Sequence, residues 1–142
     1  MRTAHDILRL KGDTVWSVRP TDTVLAALGV MAEHDIGAVL VQDGERLAGI
    51  FTERDYARKV VLVGRSSRDS PVSAVMTEDV VCVAPHRSID ECMGLMTEKR
   101  VRHLPVVDHK RVVGVVSIGD LVKETIADQE FTINQLQSYI AG

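Results

Sequence analysis

The chain has 142 residues, of which 45% are hydrophobic and 26% charged, and its formal net charge is −3. This length and composition fit a soluble globular protein of one compact domain or two small fused halves, and no apolar run approaches the ~18 residues of a membrane span. The acidic balance and an aromatic content of 4% argue against nucleic acid as a partner. The charged first residues lack an apolar signal core, so we expect a cytoplasmic protein with no membrane partner.

The first half of the chain predicts a helix followed by alternating strands and helices. Residues 3–11 predict a lead-in helix, and Val15 to Val18 predict a short strand that ends at a proline turn. Apolar residues at helical spacing predict the next helix. They are Val24, Ala27, Leu28 and Met31. Two strands, "AVLV" and "LAGIF", then flank a polar turn at Asp43-Gly44, and a second helix begins near Thr52.

The second half predicts the same elements in the same order. Val80 to Val83 form the short strand, and Ser88 with Glu91 makes a capping-box pattern at the start of the next helix. The apolar residues of this helix again keep helical spacing. They are Ile89, Cys92, Met93 and Met96. The strands "LPVV" and "VVGVV" flank a turn at Asp108-His109, and a helix begins near Ser117.

Two further segments lie outside these patterns. "GRSSRDSP", residues 64–71, is a linker, and its Ser70-Pro71 opens a short helix that runs through Met76. Residues 132–140 predict a final helix, with Thr132 and Gln135 as its capping box. Its Ile133, Leu136 and Ile140 form an apolar stripe, which fits packing on the domain and packing on a second chain equally well.

The two halves are copies of one unit. "GIFTERDY" and "GVVSIGDL" share the pattern glycine, two apolar residues, a hydroxyl, two variable residues and aspartate. A shift that places Gly49 on Gly114 aligns the halves without gaps. It also matches Val15 with Val80, Pro20 with Pro85, Gly29 with Gly94, Met31 with Met96 and Asp43 with Asp108. So many identities in order indicate an internal duplication with the order β-α-β-β-α in each copy.

The repeated phrase has the chemistry of a nucleotide site. Gly49 and Gly114 lack a side chain at the strand, which lets a ligand approach closely. Thr52 and Ser117 stand where a strand becomes a helix, so their hydroxyls and the free N–H groups favour a phosphate. Asp55 and Asp120 follow one helical turn later, and a carboxylate there can bind both ribose hydroxyls. Ser/Thr-x-x-Asp is also an ordinary capping pattern, so a purely structural role remains the alternative.

Two such copies, with "HLPVV" ahead of the second phrase, resemble a tandem cystathionine-β-synthase (CBS) domain pair, or Bateman module, of the stand-alone kind. The resemblance covers residues 8–127. It implies an α/β (α+β) fold in which two β-α-β-β-α repeats, related by pseudo-twofold symmetry, form one CBS-pair module. We place the lead-in helix at 1–13, repeat 1 at 14–63, the linker and short helix at 64–78, repeat 2 at 79–127 and the C-terminal helix at 128–142.

The resemblance also implies two clefts between the repeats that bind adenine nucleotides or adenosyl ligands, and assembly into a homodimer. The adenine would lie against Thr14, Val15 and Ile36 to Ala38 in one cleft, and against Asp79, Val80 and Val101 to Leu104 in the other. Arg102 and His103 match residues that reach a phosphate in related modules, although a basic run such as "EKRVRHLP" is more often simply solvated. Arg54 opposes the dipole of its helix start, which a bound phosphate would explain. Copy two has Gly119 at the corresponding position, so we expect inequivalent clefts.

The resulting prediction is a regulatory module that binds AMP first, then ADP, ATP or NAD(H), and signals to an effector protein in trans. We expect no catalysis, catalytic cofactor or metal site, because no nucleophile-base pair or metal motif is present and Cys82 and Cys92 suit packing. The alternatives are a ligand-independent dimerisation module and an S-adenosylmethionine-binding module. The predicted ligand-binding residues are Thr14, Val15, Ile36, Gly37, Ala38, Gly49, Thr52, Arg54, Asp55, Val80, Arg102, His103, Leu104, Pro105, Gly114, Ser117, Gly119 and Asp120.

Overall fold

The computed structural model describes residues 2–141, with the backbone alone at Ala141. The predicted domain limits at Met1 and Gly142 lie outside these residues. In chain order the elements are α1 (Ala4–Lys11), β1 (Ser17–Val18), α2 (Val24–Glu33), β2 (Ala38–Asp43), β3 (Arg46–Thr52), α3 (Glu53–Tyr56), α4 (Ile89–Lys99), β4 (His103–Asp108), β5 (Arg111–Ser117) and α5 (Ile118–Ala141). A π-helical turn, Ala57–Val61, follows α3, and a 3₁₀ turn, Val72–Ala74, precedes α4.

The chain divides into two compact units. The central unit comprises Thr14–Val80 and His109–Val112. The terminal unit comprises the chain up to Asp13, Val81–Asp108 and the chain from Val113 onwards. The lead-in helix therefore belongs with the second repeat, although the first repeat is its neighbour in the sequence.

The central unit is built on a three-stranded sheet in the order β1-β2-β3. β1 pairs with β2 in parallel through Ser17 and Leu40, and β2 pairs with β3 antiparallel from Ala38 and Thr52 onwards. Phe51 of β3 is fully buried and anchors a core to which α2 and the 3₁₀ turn contribute. Because β2 and β3 are antiparallel neighbours, the end of β3 at Thr52 lies beside the start of β2.

The terminal unit has a separate core around a two-stranded β4-β5 sheet. α1 supplies Ile7 and Leu8 to this core, α4 supplies Cys92, and α5 supplies Leu121. α1 is also bonded to the loop before α4, since the Ala4 N–H donates to the Arg87 carbonyl at 2.9 Å. The apolar interior of the first repeat is thus completed by the 3₁₀ turn that follows it, and that of the second repeat by α1, which precedes both.

Several predicted elements are confirmed. The lead-in helix forms with Thr3 as its N-cap, and Ser88 and Glu91 make the predicted capping box of α4. Both hairpins turn at the predicted polar residues, where Gly44 has φ 63° and His109 has φ 51°. A mixed fold of two strand-and-helix repeats was the predicted class, and the structure has it.

Three predicted elements differ. The strand expected at Val80 to Val83 is reduced to one parallel bridge between Val83 and Val106. The helix expected through Met76 is only the 3₁₀ turn Val72–Ala74. The separate final helix capped by Thr132 is wrong, because α5 runs unbroken from Ile118 to Ala141 and the Thr132 hydroxyl donates to the Asp128 carbonyl one turn earlier. A threonine inside a helix bonds in this way when no chain break requires a cap.

Among residues 2–141, none of the helices is both long enough and apolar enough to cross a membrane.

Candidate functional site

At the two repeated glycines, other residues of the same chain occupy the space that a side chain would need. A Cβ atom on Gly49 would lie 2.6 Å from the sulfur of Met76 and 2.8 Å from the carbonyl oxygen of Thr77. A Cβ on Gly114 would lie 2.6 Å from a methyl group of Leu8. The space we assigned to a ligand from the sequence is therefore filled by Met76 in the central unit and by Leu8 in the terminal unit.

Thr52 and Asp55 form a capping box at the start of α3. The Thr52 N–H donates to Oδ2 of Asp55 at 3.0 Å, and the Asp55 N–H donates to Oγ1 of Thr52 at 3.1 Å. The other carboxylate oxygen, Oδ1, accepts from the Thr77 hydroxyl at 3.0 Å and pairs with Nζ of Lys59 at 3.1 Å. Only 8% of the Asp55 side chain is exposed. Both of its carboxylate oxygens already bond to residues of the central unit.

Ser117 and Asp120 repeat the cap at the start of α5 but leave the carboxylate more open. The Ser117 N–H donates to Oδ2 of Asp120 at 2.8 Å, and the Asp120 N–H donates to the Ser117 hydroxyl at 3.2 Å. The Lys11 ammonium at the end of α1 donates to the same Oδ2 at 2.7 Å and to the Val115 carbonyl at 3.0 Å. The Asp120 side chain is 23% exposed, and its bonds to described residues all fall on Oδ2.

The pKa of Asp120 lies below its ordinary value. Burial of the carboxyl group on its own would raise this pKa, because the charged form loses solvation. The hydrogen bonds from Lys11 and Ser117, together with the positive charge of Lys11, outweigh burial. Asp120 is therefore an anion at neutral pH, with one oxygen held and the side chain still reachable from solvent.

The helix starts offer fewer free N–H groups than the sequence suggested. The Glu53 N–H donates to the Gly37 carbonyl at 3.1 Å, and the Ile118 N–H donates to the Arg102 carbonyl at 2.9 Å. Together with the caps, these bonds use most of the first backbone donors at both junctions. A phosphate would therefore depend on side-chain cations more than on helix N–H groups.

The structure sorts the predicted site residues into one set for each unit. Those in the central unit are Thr14, Val15, Ile36, Gly37, Ala38, Gly49, Thr52, Arg54, Asp55 and Val80; those in the terminal unit are Arg102, His103, Leu104, Pro105, Gly114, Ser117, Gly119 and Asp120. Arg54 and Arg102 are exposed, and His103 is half-buried. Leu104 is fully buried in the core, so only its backbone could face a ligand.

Among the described residues, the cysteines and the acidic side chains show no second site. Burial raises the pKa of both thiols, Cys82 and Cys92, which keeps them protonated at neutral pH. Within residues 2–141, no group of three or more histidine, cysteine, aspartate or glutamate side chains could hold a metal ion.

Lys11 and Thr77 bind the two aspartates, and the sequence reasoning missed both. Each belongs to the segment that precedes the first strand of a repeat, where Leu8 and Met76 hold matching positions over the two glycines. The gapless alignment does not pair these segments, because the chain from Leu8 to Val18 is longer than that from Met76 to Val83. Matching "DIL" with "AVM" across a short insertion would have found them.

Comparison with known proteins identifies the repeat. The family model described as CBS domain matches residues 6–62 and again residues 72–126. The chain is 41% identical to CBS domain-containing protein CBSX3, mitochondrial, from Arabidopsis thaliana, over 99% of this chain and 72% of that protein. A solved structure of a protein with CBS domains from Burkholderia ambifaria is 54% identical, with a TM-score of 0.87 over 90% of this chain and 96% of that chain. The CBS domain pair of protein MJ0100, solved with 5′-methylthioadenosine and S-adenosyl-L-methionine, shares the fold at 22% identity, with a TM-score of 0.77 over 87% of this chain and 99% of that chain.

Proposed function

Because the chain belongs to the CBS-domain family and carries that domain twice, we propose that it is a non-enzymatic, cytoplasmic regulatory module that binds an adenine nucleotide. AMP is the first ligand to test, followed by ADP, ATP and NAD(H). The two adenosyl compounds bound to the MJ0100 domain pair support the ligand class. In this proposal a homodimer of the module changes conformation on binding, and an effector protein in trans responds to that change.

The observation that carries the proposal is the open carboxylate of Asp120. It lies at a strand-to-helix junction as an anion with Oδ2 fixed and the side chain partly exposed. A ribose presents two neighbouring hydroxyl donors, which a carboxylate held in this way can accept. Asp55 supports binding less well, since its two oxygens accept from Thr52 and Thr77 and its side chain is nearly inaccessible. We therefore assign the ribose to Asp120.

The cations of the terminal unit support a phosphate-bearing ligand. Arg102 is exposed, and its carbonyl is bonded to the first residue of α5, so it lies at the same junction as Asp120. Lys11 brings a second cation onto Asp120 itself. In this proposal the phosphate lies near these two cations, and His103, next to Arg102 in the chain, is a third contact. Arg54 belongs to the other site, where the closed Asp55 predicts weaker binding.

The rival function is a dimerisation module that needs no ligand. One observation favours it: both Ser/Thr-x-x-Asp pairs are complete helix caps within the protein, so capping alone explains their presence. An S-adenosylmethionine-binding module is the third candidate. It differs from the nucleotide module in having no phosphate to attract Arg102.

Thermal unfolding with each ligand tests these functions together. We would measure the melting temperature with AMP, ADP, ATP, NAD, NADH and S-adenosylmethionine for the wild type, Asp120→Asn and Asp55→Asn, with Asp69→Asn in the exposed linker as the matched control. A ligand at about 100 times its dissociation constant adds ~2.7 kcal/mol of stability, or several degrees. We expect AMP to stabilise the wild type, Asp55→Asn and Asp69→Asn but not Asp120→Asn. If none of the ligands raises the melting temperature at millimolar concentration, the result favours the dimerisation module. If S-adenosylmethionine alone raises it, the result favours the S-adenosylmethionine-binding module.

A further inference from the structure

The second half of α5 has a surface that the nucleotide proposal does not use. α5 contains 24 residues, and every residue from Ile126 to Ile140 is exposed. The corresponding helix of the first repeat is α3 with its π-helical turn, which ends at Val61. The extension therefore belongs to the second repeat alone and is not needed to complete the fold of the repeat.

The exposed apolar residues of α5 follow a heptad pattern. Ile126, Ile133 and Ile140 recur at intervals of seven residues. Val122 and Leu136 occupy the second apolar position of the same heptads, and Gln129 fills that position between them. We call these six residues the α5 seam. Its four apolar members from Ile126 onwards are between 49% and 82% exposed, which is unusual for large aliphatic side chains aligned on one helix face.

The residue types of the seam indicate which assembly it fits. Isoleucine holds every first heptad position of the seam, and leucine holds the second position once, at Leu136. Isoleucine at the first position with leucine at the second favours two parallel strands over higher oligomers. In a parallel pair each Gln129 faces the Gln129 of the second copy, so that the two amides can bond to each other. An antiparallel pair with full overlap would instead place Gln129 against Ile133 and leave its amide buried without a partner.

The charges beside the seam agree with the parallel arrangement. The positions that flank a parallel seam would bring Thr125 of one copy to Glu130 of the other, and Thr132 to Gln137. Neither contact places like charges together. In the antiparallel arrangement the two Glu130 side chains would face each other across the axis, which is unfavourable.

A groove lined by apolar, polar and charged side chains lies beside the seam. It has a volume of about 500 Å³ and lies within the terminal unit between α5 and the start of α4. Gln129 and Ile133 of the seam line it together with Ile89 of α4. A second helix that packs along the seam would therefore also cover this groove.

We propose that α5 pairs with α5 of a second copy of this chain as a parallel two-stranded coiled coil along the seam. The pairing does not depend on nucleotide binding, since neither Asp120 nor Arg102 belongs to the seam. The occupant is a second copy because the seam matches itself in its apolar layers and in its glutamine layer, and its flanking positions bring no like charges together in the parallel pair.

Sedimentation equilibrium of the full chain tests this pairing, with Ile133→Glu as the test variant and Phe131→Glu as the matched control. Both changes add one negative charge and a good helix former to α5, but Phe131 lies about half a helical turn from the seam. We expect a dimer whose self-association weakens at least ~30-fold in Ile133→Glu, because two glutamates would meet in the apolar layer, and is unchanged in Phe131→Glu. A monomeric wild type, or equal effects of the two changes, would overturn the proposal. Circular dichroism and the melting temperature check that both variants fold.

Oxidative cross-linking tests the orientation. Leu136→Cys is made in a Cys82→Ser background, where the native Cys92 is fully buried. In the parallel pair the two new thiols lie side by side and form a disulfide. In the antiparallel pair position 136 faces position 126, about 15 Å along the axis from the other thiol, and no cross-link forms. Efficient cross-linking of Phe131→Cys in the same background would contradict the seam.

Discussion

The ammonium group of Lys11 lies 2.7 Å from Oδ2 of Asp120, which is 109 residues further along the chain. The contact joins the end of α1 to the start of α5, at the carboxylate to which we assign the ribose. In the central unit the corresponding carboxylate, Asp55, accepts from the uncharged hydroxyl of Thr77. The two repeats therefore use the same motif in different electrostatic surroundings, and the differences can be measured.

The first prediction concerns acid stability. The pKa of Asp120 is lowered in the folded state, so its ionisation stabilises the fold above the unfolded pKa of about 3.9 and this stabilisation is lost as the pH falls through the lowered value. Lys11→Met removes a cause of the lowering. We expect the wild type to exceed Lys11→Met in stability by at most ~1 kcal/mol near pH 6, because the pair is partly exposed, and the difference to shrink below roughly pH 4. A difference that stays constant from pH 6 to pH 2 would contradict this reading of the ion pair.

The second prediction compares the two repeated glycines. Gly49→Ala brings a methyl group against the backbone oxygen of Thr77, which cannot move without breaking its bond from the Ile50 N–H. Gly114→Ala meets only the end of the flexible Leu8 side chain. Urea denaturation should show a loss of about 2–3 kcal/mol for Gly49→Ala and a smaller loss, about 1 kcal/mol, for Gly114→Ala.

The aligned helical glycines provide the control. A Cβ on Gly29 or Gly94 would meet no atom within 4 Å. Because alanine is the better helix former, Gly29→Ala and Gly94→Ala should each stabilise the protein by up to ~1 kcal/mol. Destabilisation by all four changes would show that close approach to Thr77 and Leu8 does not explain the repeated phrase.

The third prediction separates the structural role of Asp55 from that of Asp120. Asp55→Ala removes the acceptor for Thr52, Thr77 and Lys59 at once and should cost about 2–3 kcal/mol. Asp120→Ala removes a cap and a partly exposed ion pair and should cost about 1 kcal/mol. Thr77→Val, which keeps the shape of the side chain, should reproduce about 1 kcal/mol of the Asp55 effect. Equal costs for the two aspartates would remove the asymmetry on which the ribose assignment rests.

The fourth prediction concerns the phosphate. Arg102→Met should weaken AMP binding about 10- to 100-fold, as expected for one charge-assisted hydrogen bond. Adenosine binding should change little, because adenosine has no phosphate. Lys99→Met, at the exposed end of α4, is the control for the general loss of a positive charge. Isothermal titration of both ligands checks this, and equal losses for AMP and adenosine would remove Arg102 from the phosphate site.

The sequence predicted the features of the fold that depend on local pattern. The duplication, the helical spacing in α2 and α4 and the cap at Ser88 all follow from the order of residues along the chain. The Ser/Thr-x-x-Asp pairs were also correctly seen as possible caps. These features involve neighbours within a few residues, where propensity and periodicity apply directly.

The remaining features depend on contacts distant in sequence. Nothing near Lys11 indicates that it reaches Asp120, and nothing near Gly114 indicates that Leu8 covers it. Thr132 looks like a helix start because threonine is a common cap. It lies inside α5, however, which begins at Ile118 and continues through it, because extending a formed helix is easier than starting a new one. The packing of α1 in the core of the terminal unit is likewise not indicated by any local pattern in the sequence.

The division of the terminal unit between the two ends of the chain has a consequence for folding during synthesis. α1 is synthesised before the residues that bury its Ile7 and Leu8, which lie in the segment from Ile89 to Leu121. The central unit is almost wholly contained in Thr14–Val80 and can close while the rest is still being translated. α1 therefore keeps its apolar face exposed until the segment through Leu121 has left the ribosome. A fragment that ends near residue 100 should hold a folded first repeat and an undocked lead-in helix.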